Sequence, residues 1–273
     1  MSITTALQLR NALRAVKRNL GFPHGTRVAL VAAGVYHTAC VTALGEVFTW
    51  GYGKNGQLGH GLRTETTPRG DEMDQLAPRR VEALAEYRAV DVDCASSVTV
   101  VVTAAGELFA WGASLRCADS LLDPRGPTPA RVTFPGGVRV RRASCGYLHT
   151  AAVDTEGTLY TWGAGEYNRL GHGNEQDVGA PRAVTALAGR RIAMVSCSPT
   201  HTAALTEGGI LFTWGQNEQG QLGHEIVYPD DYETDEEPLT GQCTMVLSLF
   251  ATQSWRIKPR FLHSRTKIVF LLP

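Results

Sequence analysis

Short runs of small, β-branched and aromatic residues recur along the chain in pairs, each pair set around a glycine turn. Thr38-Ala39-Cys40-Val41-Thr42 and Val47-Phe48-Thr49-Trp50 flank Ala43-Leu44-Gly45-Glu46, and the same shape returns over 99–111, 150–162 and 202–214. Runs of that composition around a glycine predict β-hairpins. A third run precedes the hairpin, as in Val138-Arg139-Val140 or Arg191-Ile192-Ala193-Met194-Val195, and before it stands a proline element at 78–81, 129–132 and 181–184. Each unit therefore reads as about four short strands.

The hairpins share one register. Four tryptophans, Trp50, Trp111, Trp162 and Trp214, are each followed by glycine and are separated by 61, 51 and 52 residues. Counting back from each, a glycine stands at Gly45, Gly106, Gly157 and Gly209, and a His-Thr pair at His37, His149 and His201, with Val98-Thr99 in the second copy. Counting forward, Leu-Gly-His follows at 58–60, 170–172 and 222–224. Sheets of four short strands repeating about every 50 residues predict an all-β fold, a β-propeller whose small sheets bury their faces against neighbours.

The motifs Ala-Gly-x-x-His-Thr, Gly-x-hydrophobic-Phe/Tyr-Thr-Trp-Gly and Gly-Gln-Leu-Gly-His resemble the repeat of the regulator of chromosome condensation family, from about Val28 to His224. The resemblance implies a seven-bladed propeller of four-stranded blades. Four copies are present, and seven units would need roughly 350 residues, so the expectation is an incomplete ring of about four blades. The expected division is a basic amphipathic helix or targeting segment at 1–24, propeller repeats over 25–238 with cores at 28–61, 81–119, 132–173 and 184–224, and a non-repeat tail at 239–273. In the first copy, the extra length over 62–77 reads as an exposed loop, and in the second the segment Ala113-Ser114-Leu115-Arg116-Cys117-Ala118-Asp119 replaces the Leu-Gly-His turn.

Composition sharpens this picture in a few places. Glycine contributes 29 of 273 residues, above the usual share of about 7%, and the repeated turns account for the excess. Charges balance at 26 of each sign, which leaves no bulk field favouring nucleic acid or membrane. Gly51-Tyr52-Gly53-Lys54-Asn55-Gly56 matches a dinucleotide fingerprint, but the glycine-rich Gln57-Leu58-Gly59-His60-Gly61 cannot start the helix that the pyrophosphate needs. The repeated histidines read as blade hydrogen bonding, each serving its own turn or strand. Cys94, Cys145 and Cys197 share one register and read as packed interior positions. No Cys-x-x-Cys, nucleophile elbow or phosphate loop occurs, so neither enzyme, metal nor cofactor is expected. No apolar run is long enough for a membrane helix.

The ends differ from the middle. Residues 1–45 hold Arg10, Arg14, Lys17, Arg18 and Arg27 with no acid, and Leu9, Leu13, Val16 and Leu20 fall on one helical face. This fits a transit peptide or a helix beside the propeller. Seven acids fall within 225–237 and none beyond, and the 243–273 stretch is expected to lie outside native propeller sequence. An unclosed set of blades must self-associate, be capped by its tails or continue in a longer chain.

The resemblance implies an interaction scaffold in cytoplasm or nucleus, with a mitochondrial or plastid alternative. Its family activities are guanine-nucleotide exchange on a Ran-like small GTPase, chromatin binding, and recruitment within HECT-type ubiquitin ligases or organellar assembly. A photoreceptor branch carries Trp-Arg before its His-Thr pair. Here Val35-Tyr36, Tyr147-Leu148 and Pro199-Thr200 stand there, so light reception is not expected. The candidate protein-binding residues are those of the loops after each Trp-Gly: Tyr52, Lys54 and Asn55; Glu166, Tyr167 and Asn168; Gln216, Asn217 and Glu218. Exposed turns with aromatic and polar groups suit such contacts, and turn chemistry alone also favours asparagine there.

Overall fold

The computed structural model describes residues 21–23, 25–61, 74–112 and 127–223. The stretch expected to form a basic amino-terminal helix, apart from 21–23, the diverged segment of the second copy, His224, the acidic stretch and the tail lie outside the described residues. The first repeat forms β1 (Val28–Ala33), β2 (His37–Thr42), β3 (Val47–Gly51) and β4 (Gln75–Arg80). The second forms β5 (Ala89–Cys94), β6 (Val98–Thr103), β7 (Leu108–Gly112) and β8 (Ala130–Arg131). The third forms β9 (Val140–Cys145), β10 (His149–Asp154), β11 (Leu159–Gly163) and β12 (Val178–Ala183), and the fourth β13 (Ile192–Cys197), β14 (His201–Thr206) and β15 (Leu211–Gly215).

Each repeat is one antiparallel sheet with its strands in chain order, four strands in the first three and three described in the last. The second strands read as runs of alanine, valine and threonine because they are covered on both faces; all six residues of β6 are buried. Two details differ from the sequence expectation. The run at 138–140 is the approach to a strand, since β9 begins at Val140. The extra segment of the first repeat is not loop throughout, since β4 begins at Gln75, with Leu76 99% exposed on the outer edge. Pro78 fits inside that strand because an edge strand has a side without ladder bonds.

Contacts group the first two sheets, apart from 106–108, into one compact unit and the last two into another. Each unit has its own core. The first gathers Val41, Val47, Val81, Leu84, Ala89, Val101, Phe109 and Trp111. The second gathers Ala151, Val153, Leu159, Val184, Leu187, Ile192, Ala204, Phe212 and Trp214. Phe134 meets Tyr160 and Trp162 edge-on at 5.4 and 5.8 Å, and Phe22 meets Phe48 and Trp50 at 5.4 and 6.0 Å.

Within each unit the two sheets are joined by the same polar latch. In the first, the Thr99 hydroxyl donates to the Gln57 carbonyl at 2.8 Å and lies 2.8 Å from His37 Nε2. A threonine has one proton to give, so His37 must donate from Nε2 and is the neutral Nε2–H tautomer. Trp111 Nε1 donates to the same Gln57 carbonyl at 2.8 Å. In the second unit His149, Thr202, Arg169 and Trp214 repeat the arrangement at 2.8, 2.8 and 2.9 Å. These histidines therefore serve the following sheet rather than their own, which the sequence reading did not anticipate. His60 and His172 do bond within their own sheets, each with Nε2 3.1 Å from the Thr49 or Thr161 hydroxyl, which donates to the Leu58 or Leu170 carbonyl.

The latch explains two of the motif's glycines. A Cβ on Gly34 would stand 2.8 Å from His37 Nδ1 and 2.2 Å from the Ala95 carbonyl, and Gly146 is equally confined by His149 and Ser198. Gly59 has φ +74°, and a Cβ there would stand 2.7 Å from Trp111 Nε1. Among the described residues, the buried Nδ1 atoms of His37 and His149 have no partner. Burial pushes the His37 pKa down to about 4, and burial with the nearby Arg169 and His201 charges pushes His149 to about 3. Burial likewise raises the Cys40 and Cys94 thiols to about 11 and about 12, which keeps them protonated and unreactive.

Candidate functional site

The turn after Trp50-Gly51 closes on itself through Gly56 N, which donates to the Gly53 carbonyl at 2.9 Å, and is held by three further bonds. Tyr52 N donates to the Tyr36 carbonyl at 2.8 Å, Gly53 N to Asp74 Oδ1 at 2.9 Å, and Asn55 N to Gln57 Oε1 at 3.0 Å. The first bond draws the β1–β2 turn alongside, so the Tyr36 and Tyr52 rings lie 6.0 Å apart. Lys54 Nζ stands 5.9 Å from the Tyr52 ring centroid, within cation–π range. Asn55 Nδ2 donates to Ser97 Oγ of the second sheet at 3.1 Å. Val35 and Tyr36 are 62% and 66% exposed. Tyr52, Lys54 and Asn55 thus come together with Val35 and Tyr36 into one surface group, part aromatic and part cationic, in which Tyr52 is half-buried and the others are exposed.

The corresponding turn of the third repeat is organised differently because Arg169 replaces glutamine. Gln57 accepts from the N–H two residues earlier, as Gln221 does from Gln219 at 2.8 Å. Arginine has no acceptor. Arg169 Nε instead donates to the Glu166 carbonyl at 2.8 Å and its Nη2 pairs with Glu166 Oε2 at 3.1 Å. The backbone follows by turning left-handed at Tyr167, with φ 60°, whereas the next place is left-handed in all three turns, at Gly56, Asn168 and Gly220 with φ 76°, 55° and 71°. The buried guanidinium also donates to the Pro199 carbonyl at 3.3 Å and lies 5.4 Å from the Tyr167 ring. Burial lowers the Arg169 pKa, against the raising pull of Glu166, and the guanidinium stays charged. Tyr167 is exposed, Glu166 is half-buried, and Asn168 is buried within the turn.

In the fourth repeat Gln216 N donates to the Thr200 carbonyl at 3.1 Å, and Asn217 Oδ1 accepts from Leu222 N at 3.0 Å. Gln216 and Asn217 are half-buried and Glu218 is exposed. The structure thus puts Asn168 and Asn217 to work on their own turns, while Tyr52, Lys54, Tyr167 and Glu218 face outward or lie at the surface. Sequence reasoning passed over Val35, Tyr36 and Tyr147, the last 47% exposed. Their signal was present as large apolar residues in the turn just before the His-Thr register. It also passed over Arg169, whose signal was the arginine standing where the other Leu-Gly-His copies have glutamine.

Among the described residues no three His, Cys, Asp or Glu side chains gather as metal ligands, and no helix is long and apolar enough to cross a membrane.

The model of the RCC1-like domain matches residues 8–254. The human E3 ubiquitin-protein ligase HERC2 is 38% identical over 206 residues, which are 73% of this chain and 4% of that protein. The ultraviolet-B receptor UVR8 of Arabidopsis thaliana is 38% identical over 220 residues, 76% of this chain and 48% of the receptor. Among solved structures, Prp20p of Saccharomyces cerevisiae, described together with its binding properties to Gsp1p and histones, superposes with a TM-score of 0.58 at 24% identity. That superposition covers 74% of this chain and 48% of Prp20p. The fold is accordingly of the all-β propeller type, with four blades among the described residues, an incomplete set beside Prp20p. With the repeated Trp-Gly blades, the latch histidines and the family match over most of its length, the chain belongs to the RCC1-like domain family.

Proposed function

We propose that this chain is a protein-interaction module, with guanine-nucleotide exchange on a Ran-like small GTPase as its nearest activity. The observation that carries the reading is the surface group of exposed Val35, Tyr36 and Lys54 around the half-buried Tyr52, held by backbone bonds at one end of the first sheet. Aromatic side chains with a neighbouring cation, fixed before a partner arrives, offer large contact area at little ordering cost. In the second unit, Tyr147 and the Tyr167–Arg169–Glu166 stack offer similar chemistry. Exchange asks for a surface that displaces the ligands of a bound nucleotide and for no general acid or base, which agrees with a site of this composition. Chromatin binding comes with the same family resemblance, and the proposed compartment is cytoplasm or nucleus.

The likeness to HERC2 favours a second reading, a partner-targeting segment of a larger ubiquitin ligase. An organellar assembly role is the further alternative, supported by the basic amino end. The readings separate in a nucleotide-release assay with the purified chain and a panel of small GTPases carrying fluorescent GDP. Exchange predicts at least a ten-fold faster release from a Ran-like member, reduced by Tyr36→Ala and Tyr52→Ala with the fold intact. Unchanged release across the panel removes the exchange reading. Capture of a ligase substrate sensitive to the same two substitutions supports the targeting one.

A further inference from the structure

Each latch has a giving half and a receiving half. The giving half is a histidine Nε2–H beside the carbonyl of the residue before Leu-Gly; the receiving half is a threonine hydroxyl beside an indole N–H. His37 with Gln57 meets Thr99 with Trp111, and His149 with Arg169 meets Thr202 with Trp214. The glycine of Leu-Gly seats the incoming indole, as Gly59 seats Trp111 and Gly171 seats Trp214.

Two receiving halves, Thr38 with Trp50 and Thr150 with Trp162, and one giving half stand without counterparts among the described residues; Trp162 is 5% exposed, which leaves the half-buried Trp50 as the open indole. Thr38 and Trp50 face each other across the β2–β3 ladder, as Thr202 and Trp214 do across β14–β15. Thr99, Thr202, Trp111 and Trp214 are all 0% exposed, whereas Thr38 and Trp50 are half-buried. Phe22 reaches the edge of the Trp50 ring, and no described residue takes the indole N–H or the Thr38 hydroxyl.

At the other end the giving half is preset. Ser198 Oγ accepts from Thr200 N and His201 N at 3.2 and 2.9 Å. Its own proton therefore goes to His201 Nδ1, which it contacts, and the imidazole proton is left on Nε2. His201 has the tautomer of His37 and His149, and its Nε2 has no partner among the described residues. Gln221 repeats the Gln57 turn, with Leu222 O accepting from Thr213 Oγ1 at 2.9 Å as Leu58 O accepts from Thr49 at 2.6 Å. Gly223, with φ +77°, is exposed where Gly59 and Gly171 are buried.

We propose that the Thr38–Trp50 face receives the His201–Gln221–Gly223 face of a second copy of this chain, head to tail. Every donor then has its acceptor: His201 Nε2–H to Thr38, and both the Thr38 hydroxyl and Trp50 Nε1–H to the Gln221 carbonyl. The indole takes the empty glycine seat. A joint between unlike faces of identical chains is heterologous, and its two halves can be disabled separately.

The test is the mass of the full chain by sedimentation across a concentration range, starting from the 29.5 kDa monomer. The joint predicts concentration-dependent association to about twice that mass or beyond. Thr38→Val with Trp50→Phe, and separately His201→Leu, should each raise the dissociation constant at least ten-fold. Should the paired substitution unfold the first sheet, Thr38→Val alone carries the receiving-half test. An equimolar mixture of the two variants should recover a one-to-one dimer, because each keeps the half the other lacks. A monomer at all concentrations overturns the proposal, as does association indifferent to these variants or a mixture that stays monomeric.

Discussion

Thr99→Val removes one hydroxyl from the first latch and leaves the side-chain outline and the strand preference nearly unchanged. His37 is 3% and Thr99 0% exposed, so the His37 Nε2–H loses its acceptor where water cannot replace it. An orphaned buried donor costs about 1–3 kcal/mol. The Gln57 carbonyl keeps the Trp111 N–H and adds little to the cost. We expect a net loss of about 2 kcal/mol, read as a fall in melting temperature of about 4–8 °C for a chain of this size. Urea unfolding followed by tryptophan fluorescence measures the same quantity. Adding His37→Leu to Thr99→Val should restore part of the loss, because donor and acceptor are then both absent; Val98 already occupies the histidine place in β6. The coupling between the two positions should be about 1–2 kcal/mol. A shift within error for Thr99→Val, or strict additivity in the double variant, would refute the latch.

Two further outcomes follow from the same geometry. Gly59→Ala places a Cβ 2.7 Å from Trp111 Nε1 on a backbone at φ +74°; it should cost about 2 kcal/mol or more, visible as a lowered urea midpoint. Lowering the pH should destabilise the fold through His37 and His149. Their folded pKa values, about 4 and about 3, lie below the ordinary value of about 6.5, so the unfolded chain binds more protons between these limits. Their contribution is complete above about pH 6.5 and declines as pH falls toward 4 and then 3, by up to about 1.4 kcal/mol per pH unit for each histidine. Stability measured from pH 7 to 4 that stays flat, or that rises on acidification, contradicts the neutral buried tautomers.

The sequence alone determined the repeat, the strand count per blade and the glycine register, because these are local: a hairpin announces itself by small, β-branched and aromatic residues around a glycine. Strand starts were less legible. The first strands carry an extra residue near their beginnings, with register shifts at Val28/Leu30, Ala89/Asp91, Val140/Arg142 and Ile192/Met194. A bulge breaks the alternation from which a strand start would be read. Of the candidate residues, turn position was readable but exposure was not, since Tyr167 and Asn168 are neighbours in one turn and the first is exposed while the second is buried. Arg169 for glutamine reversed the hydrogen bonding of one turn, since arginine donates where glutamine accepts.

What only the tertiary structure decided is where each polar group finds its partner. His37 and Thr99 lie 62 residues apart and meet at 2.8 Å, a pairing set by the packing of one sheet on the next. A histidine recurring at one place in three of the four repeats suggested service to its own blade, and His37 and His149 serve the following one. Periodicity along a chain records which residues share a face; which face they meet depends on how the sheets stack, and that information resides in burial and distance rather than in spacing.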